Sequence, residues 1–286
     1  MNPVLENLLQ CPQCERDLEI HDHPAELACV ACGLVYPLQQ GIPLFTPSPA
    51  GLVPSEKIAR SPDSGTPWRK ANWQFVQKQL TKIEPHGLIL DVGAGRGDFA
   101  EALRNRRSIA LDIYPYPEVD IVSDLTHINP FRRASFEAVL LLNVLEHVFD
   151  TNALLANLSR VLKPGGTLLV AIPFMVKMHQ VPVDYVRYTE FALMRLGEAH
   201  GLSIDELEGY YDPIFFLGEG LGNLRHAVLP SLGRGQRQVA RLMLTGIQAL
   251  AGQLARLVGP GQTLPVSESK TNPAPTGYQV VYRKRE

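Results

Sequence analysis

Apolar residues change their spacing along this 286-residue chain. Near the N-terminus, short alternating segments at 17–20, 26–29 and 34–36 predict small strands. Residues 47–67 are rich in Pro, Ser and Gly without apolar periodicity, which predicts a linker. Trp73, Val76 and Leu80 then follow a helical spacing, so a helix is expected over 68–83. Beyond it, short apolar runs alternate with helical patterns. Strands are predicted at 88–92, 108–111, 119–122 and 136–142. A fifth follows Lys163-Pro-Gly-Gly, a sixth covers 202–211 and a seventh 277–282, with a helix over 190–200. Strands without polar positions belong in a sheet covered on both sides. The pattern divides the chain into a small module (1–46), a linker (47–67) and a larger domain (68–286).

The last two predicted strands are separated by an insertion of about 213–275. Within it, residues 238–258 read as a helix. Arg234, Arg237, Arg241, Thr245, Gln248, Gly252 and Arg256 form a narrow polar stripe beside a broad apolar face. Such a helix suits a lid, a dimer contact or a membrane surface.

The most informative stretch joins the first large-domain strand to a helix. Asp91 ends the strand, and Gly93, Gly95 and Gly97 follow. A dinucleotide loop of the G-x-G-x-x-G form would need glycine where Asp98 stands, and a pyrophosphate would sit poorly beside Asp91. A cationic sulfonium and ammonium would be favoured there. This D-x-G-x-G-x-G bend is similar to the cofactor loop of the Rossmann-like S-adenosylmethionine-dependent methyltransferases of the small bacterial type 11 group. The resemblance runs in order from about Ile89 to Pro173. It implies a seven-stranded, mostly parallel sheet with helices on both faces, with the last two strands antiparallel at the sheet edge. It further implies that Asp91, Gly93, Gly95, Gly97 and Asn143 line the cofactor. Asp112 would take the ribose hydroxyls, Asp124 the adenine amine, and Leu125 would supply a neighbouring amide.

Methyl transfer requires alignment above all, and a base only when the acceptor arrives protonated. After the fifth strand the loop HQVPVDYVRYT is similar to one in a subgroup of small bacterial methyltransferases. His179 is therefore expected to act as base or substrate contact, with Tyr185 and Arg187 positioning the acceptor. The alternative is an Asp184–Arg187 ion pair with tyrosines packed on the next helix. Glu146 and His147 read mainly as helix-start residues.

All four cysteines, Cys11, Cys14, Cys29 and Cys32, fall in the first module as C-x2-C-x14-C-x2-C. Two such turns can present four thiolates to one Zn²⁺, closing its coordination and giving it a structural role. LLQCPQC through GIPLF resembles the small zinc-ribbon proteins that activate certain tRNA and protein methyltransferases.

Net charge is −2, yet from Leu224 onward nine Lys or Arg face two acids. That end can meet an anion: a phosphate-bearing substrate, a nucleic acid or a membrane surface. The N-terminus lacks a basic start with a long apolar run, so cytoplasmic residence is expected. The favoured acceptor is a small molecule or an envelope-sugar or lipid-linked intermediate. The alternatives are RNA methylation and a non-catalytic, cofactor-binding scaffold. Aromatic content of 7% and the acidic Glu15, Asp17, Glu19, Asp22 and Glu26 weigh against RNA.

Overall fold

The computed structural model describes residues 1–47, 65–259, 261–266 and 274–286. Most of the expected linker, and residues 267–273 of the insertion, lie outside the described residues.

The N-terminal module is a four-stranded antiparallel sheet of β1 (Leu18–Asp22), β2 (Ala25–Cys29), β3 (Val35–Gln39) and β4 (Ile42–Pro43), in that order. Helix α1 (Pro67–Leu80) follows. Pro67 sits at its first turn, and the Thr66 hydroxyl caps it by accepting from the Arg69 N–H at 3.2 Å.

The large domain continues through β5 (Leu88–Val92), α2 (Ala100–Leu103), β6 (Arg107–Asp112), β7 (Ile121–Val122), β8 (Phe136–Leu142), α3 (Thr151–Val161), β9 (Leu162–Pro173), α4 (Glu190–Ala199) and β10 (Leu202–Tyr211). Then come α5 (Pro213–Asn223), α6 (Arg234–Val258), β11 (Gln262–Pro265) and β12 (Gly277–Lys284). The sheet order is β11-β10-β12-β9-β8-β5-β6-β7. Strands β9 through β7 run parallel, and β10, β11 and β12 pair antiparallel.

All seven expected strands form, and an eighth, β11, arises inside the insertion and pairs with the outer side of β10. The third expected strand is shorter than its apolar run, because the Val119 N–H turns back to the Tyr116 carbonyl at 3.1 Å and leaves only Ile121–Val122 in the ladder. Helix α6 begins at Arg234, four residues before the expected start.

The central strands β5, β8 and β9 are largely apolar because both faces of the sheet are covered. Leu90, Val139, Leu141, Leu168 and Val170 face Leu154 and Leu158 of α3 and Leu193 of α4. Ile89, Leu140, Leu169 and Ala171 face Trp73, Val76 and Leu80 of α1 and Leu103 of α2.

The cysteine-bearing module is not a bead on a string. Leu5, Leu9, Leu27 and Phe45 belong to the same buried cluster as Phe131, Phe136 and Leu141. Backbone bonds seal the joint: Gln10 N–H to Pro130 O at 2.8 Å, Arg132 N–H to Leu8 O at 2.9 Å, and Phe45 N–H to Val122 O at 2.9 Å. Leu44 and Val122 bridge in parallel, so the module extends the β7 edge of the main sheet. This covers an edge that would otherwise expose unpaired backbone groups.

Candidate functional site

The chain runs outward from β5 through β6 to β7, then returns to the other side of β5 as β8. The reversal opens a crevice at the C-terminal ends of β5 and β8, where doubly wound sheets take ligands. The predicted residues converge on it. Gly93 and Ala94 donate backbone N–H bonds to Leu111 O at 2.8 and 3.0 Å, folding the bend over the end of β6. Gly93, Gly95 and Gly97 have φ of +73°, +55° and +78°. At Gly93 a Cβ would lie 2.3 Å from Val144 Cγ2, whereas at Gly95 it would meet open space. Thus Gly93 is required by packing, while the free side of Gly95 leaves its backbone open to a ligand.

Asp112 closes the bend. Its carboxylate accepts from Gly95 N–H at 2.8 Å and from Tyr114 N–H at 3.0 Å. Burial nevertheless raises its pKa, outweighing those bonds. Asp91 is 5% exposed, and burial, reinforced by the Asp112 and Asp98 carboxylates, pushes it up to about 7. Acids gathered on a glycine bend favour an incoming cation, so these residues fit a sulfonium nucleoside with an ammonium group.

Asp124 and Leu125 follow β7 as expected. Asp124 Oδ1 accepts from Thr126 N–H and Oγ1–H at 2.9 and 2.6 Å, while its own N–H donates to Thr46 Oγ1 at 3.0 Å. That last bond ties the strand end to the N-terminal module. Leu125 is buried. Asn143 ends β8 with φ +55°, and its side-chain oxygen accepts from Trp68 Nε1–H at 2.8 Å. Sequence patterns gave no sign of this Trp68 contact, since the two residues are 75 positions apart.

The loop between β9 and α4 folds back onto the turn after β8. Tyr185 and Val186 donate N–H bonds to Glu146 O at 2.8 and 3.3 Å. Asp184 receives both Arg187 Nη groups, at 2.5 and 2.8 Å, and the His179 N–H at 2.8 Å. The ion pair weighed against a positioning role is therefore formed, and it engages Arg187 fully enough to hold Asp184 well below the usual carboxylate range. Tyr185 is half exposed and its ring meets Phe149 edge-on at 5.7 Å. His179 does reach a cluster of titratable groups. Its ring stacks edge-on to His147 with centroids 4.9 Å apart, beside the wholly buried Glu146. Burial pushes Glu146 up to about 8 and draws His147 down. Glu146 and His147 lie in the short helical turn after β8 (Leu145–His147), and the folded-back loop brings His179 to them.

In the N-terminal module, Cys11 Sγ lies 3.6 Å from Cys32 Sγ and Cys14 Sγ 3.4 Å from Cys29 Sγ. All four sulfurs are within 4.8 Å of one another. Zn–S bonds of about 2.3 Å give tetrahedral S···S edges near 3.8 Å, so the set has the dimensions of a closed zinc site.

Comparison with known proteins agrees with this geometry. A family model described as a methyltransferase domain matches residues 90–170. The chain is 29% identical over 171 residues to a probable S-adenosylmethionine-dependent methyltransferase of Mycolicibacterium smegmatis, covering 53% of this chain but under two thirds, 65%, of that relative's length. It is 26% identical over 174 residues to the demethylmenaquinone methyltransferase of Tropheryma whipplei, covering 53% of this chain and 72% of that protein. The N-terminal part is 37% identical over 57 residues to a UPF0434 protein of Methylobacillus flagellatus, covering 20% of this chain and 95% of that protein. The N-terminal part of the chain therefore belongs to the UPF0434 family, carries a four-cysteine cluster with the dimensions of a zinc site, and is joined to a larger domain that matches a methyltransferase domain over residues 90–170.

Proposed function

We propose that the protein methylates a small, lipid-linked acceptor, with the crevice at Asp91, Gly93, Gly95, Gly97 and Asp112 holding the methyl donor. Bound S-adenosylmethionine supplies a methyl group already activated by its sulfonium charge. The protein's part is alignment. Asp112 offers a carboxylate to the ribose hydroxyls while fixing the Gly95 N–H. Asp91 opposes the donor's positive charge. Asp124, Leu125 and Asn143 flank the same strand ends, where the adenine and the amino-acid portion of the donor would lie. The observation that carries this reading is the Gly95–Asp112 bond, which joins the glycine bend to the carboxylate 17 residues later in one rigid cradle.

On the acceptor side, His179 borders the buried cluster, with Tyr185 exposed beside it. The lipid-linked character rests on the insertion. Leu242, Met243, Leu250 and Leu257 of α6 are 65–85% exposed, the helix contains no acidic residue, and Arg234, Arg237, Arg241 and Arg256 share its length. An apolar face bordered by cations suits an anionic lipid surface. No described helix is long and apolar enough to cross a membrane. The demethylmenaquinone methyltransferase of Tropheryma whipplei, to which the chain is similar, supports the same reading.

The deciding experiment incubates the zinc-loaded protein with methyl-labelled donor and fractionated cell extract. Label is expected in the lipid-extractable fraction. Label confined to RNA would replace this reading with the RNA one, and donor binding without any labelled fraction would leave a scaffold.

A further inference from the structure

Three side chains outside the cysteine module, Glu146, His147 and His179, bring their donor atoms within 4.8 Å of one another. Glu146 is wholly buried, and neither of its carboxylate oxygens has a hydrogen-bond partner among the described residues. Its Oε1 lies 3.8 Å from His147 Nε2 and 3.8 Å from His179 Nε2. Those separations exceed any N···O hydrogen bond, so the three groups do not satisfy one another. A buried carboxylate without partners is costly, and such a group requires an explanation.

The orientation of the two imidazoles supplies one. His147 Nδ1 is 2.8 Å from Val183 O, an acceptor only, so Nδ1 carries the proton and Nε2 presents its lone pair. That Nε2 is buried and unpartnered as well. His179 Nδ1 faces Asp184 Oδ2 at 3.3 Å and Lys177 O at 3.4 Å, again two acceptors, which turns its Nε2 toward Glu146. Each ring is anchored at Nδ1 by an oxygen and offers Nε2 to the common centre. This is how metal-binding histidines are held by their outer partners. The Arg187–Asp184 pair then has a purpose beyond loop structure, because it fixes the carboxylate that orients His179.

We propose that Glu146, His147 and His179 form a second metal site, separate from the cysteines, that takes one divalent transition-metal ion. Two imidazole nitrogens and one carboxylate oxygen match the donor sets of open zinc and ferrous sites. Bonds of about 2.1 Å require donor-to-donor edges of roughly 3.0–3.5 Å; the two Glu146 edges of 3.8 Å need to close by less than an ångström, and the two imidazole nitrogens, within 4.8 Å of each other, draw together as the loop ring of His179 turns in. Three protein ligands leave coordination positions open for an oxygen of a second molecule. The site needs nothing from the donor crevice to form, and so does not depend on the methyl-transfer reading.

The test uses full-length, zinc-loaded protein with cobalt(II) chloride as probe. Equilibrium dialysis with metal analysis is expected to show one cobalt per chain at unchanged zinc content. Its visible spectrum should have nitrogen/oxygen ligand-field bands and no thiolate charge-transfer band. Paramagnetic broadening should reach the ring signals of His147 and His179. His179→Ala and Glu146→Gln should each weaken cobalt binding at least tenfold with zinc retained. If Glu146→Gln fails to fold, His179→Ala carries the comparison, since that ring is one-third exposed on a loop. Retention of zinc alone at millimolar cobalt, entry of cobalt only with loss of zinc, or equal binding by the His179→Ala protein would each overturn the site.

Discussion

Asp112 receives two backbone N–H groups from the glycine bend and the segment after β6, so its removal loosens the bend as well as deleting an acceptor. Asp112→Ala is expected to lower S-adenosylmethionine affinity at least tenfold, as read by calorimetry. An unchanged Kd would remove the residue from the donor site. Gly93→Ala should be more damaging to folding, because φ +73° is strained for alanine and the new methyl would collide with Val144. The left-handed backbone alone costs roughly 1–3 kcal/mol, and the clash adds to it. Thermal unfolding reads that loss directly. Asp91 makes a pH prediction. Its pKa of about 7 in the folded protein compares with about 3.9 unfolded. Between those values the native state holds a proton that the unfolded state lacks. Its contribution to stability is therefore complete below pH 4 and is lost as pH rises through 7. Donor binding has the opposite dependence, since a cation demands the ionised form. Affinity should weaken as pH falls below 7, with a proton released on binding at pH 6 and none at pH 8. Calorimetry in buffers of different ionisation enthalpy measures that proton, and Asp91→Asn should abolish the difference.

At the scale of elements, the loop before α4 and helix α6 place chemistry that their own sequences only hint at. The loop gains its role by pairing with the Glu146 backbone, which carries His179 to a turn more than thirty residues earlier in the chain. Helix α6 keeps its polar stripe and broad apolar face, and the latter remains exposed at Val239, Leu242, Met243 and Leu250. An exposed apolar face this long marks a contact surface. Flotation with phosphatidylglycerol-containing vesicles should recover the wild-type protein, and Leu242→Glu combined with Leu250→Glu should abolish recovery while leaving donor binding intact. Failure of the wild-type protein to float, together with a concentration-dependent dimer in sedimentation, would assign the face to a second copy.

For the molecule as a whole, the zinc module and the methyltransferase domain share one apolar cluster and a continuous backbone joint at β7. Ion pairs Arg160–Glu15 and Arg132–Asp17 span the same junction. Metal-dependent folding of the module is thereby coupled to the large sheet. Removing zinc with a strong chelator is expected to lower Tm by roughly 10 °C or more. About 1 kcal/mol moves a domain of this size by ~2–4 °C, and a structural zinc site contributes several times that. Unfolding should remain one transition in the zinc-loaded protein. Two separated transitions, with the large domain indifferent to chelation, would show that the joint transmits no stability.

Periodicity alone determined most of the architecture, because strands buried on both faces are largely apolar and the left-handed backbone of the bend after β5 favours glycine. For the same reason the four thiol ligands and the acids at the ends of β5 and β6 were legible: their spacing is local, and their chemistry needs those residue types. The short β7, the added β11, the Trp68–Asn143 bond and the shared core with the zinc module were not, since each depends on which distant segments meet. Tertiary structure also decided the character of Glu146. In the chain it is one acid among 29 acidic residues; in the fold it is stripped of water and faced by two imidazoles. Burial and convergence are properties of packing, and packing is fixed by contacts that no linear spacing encodes.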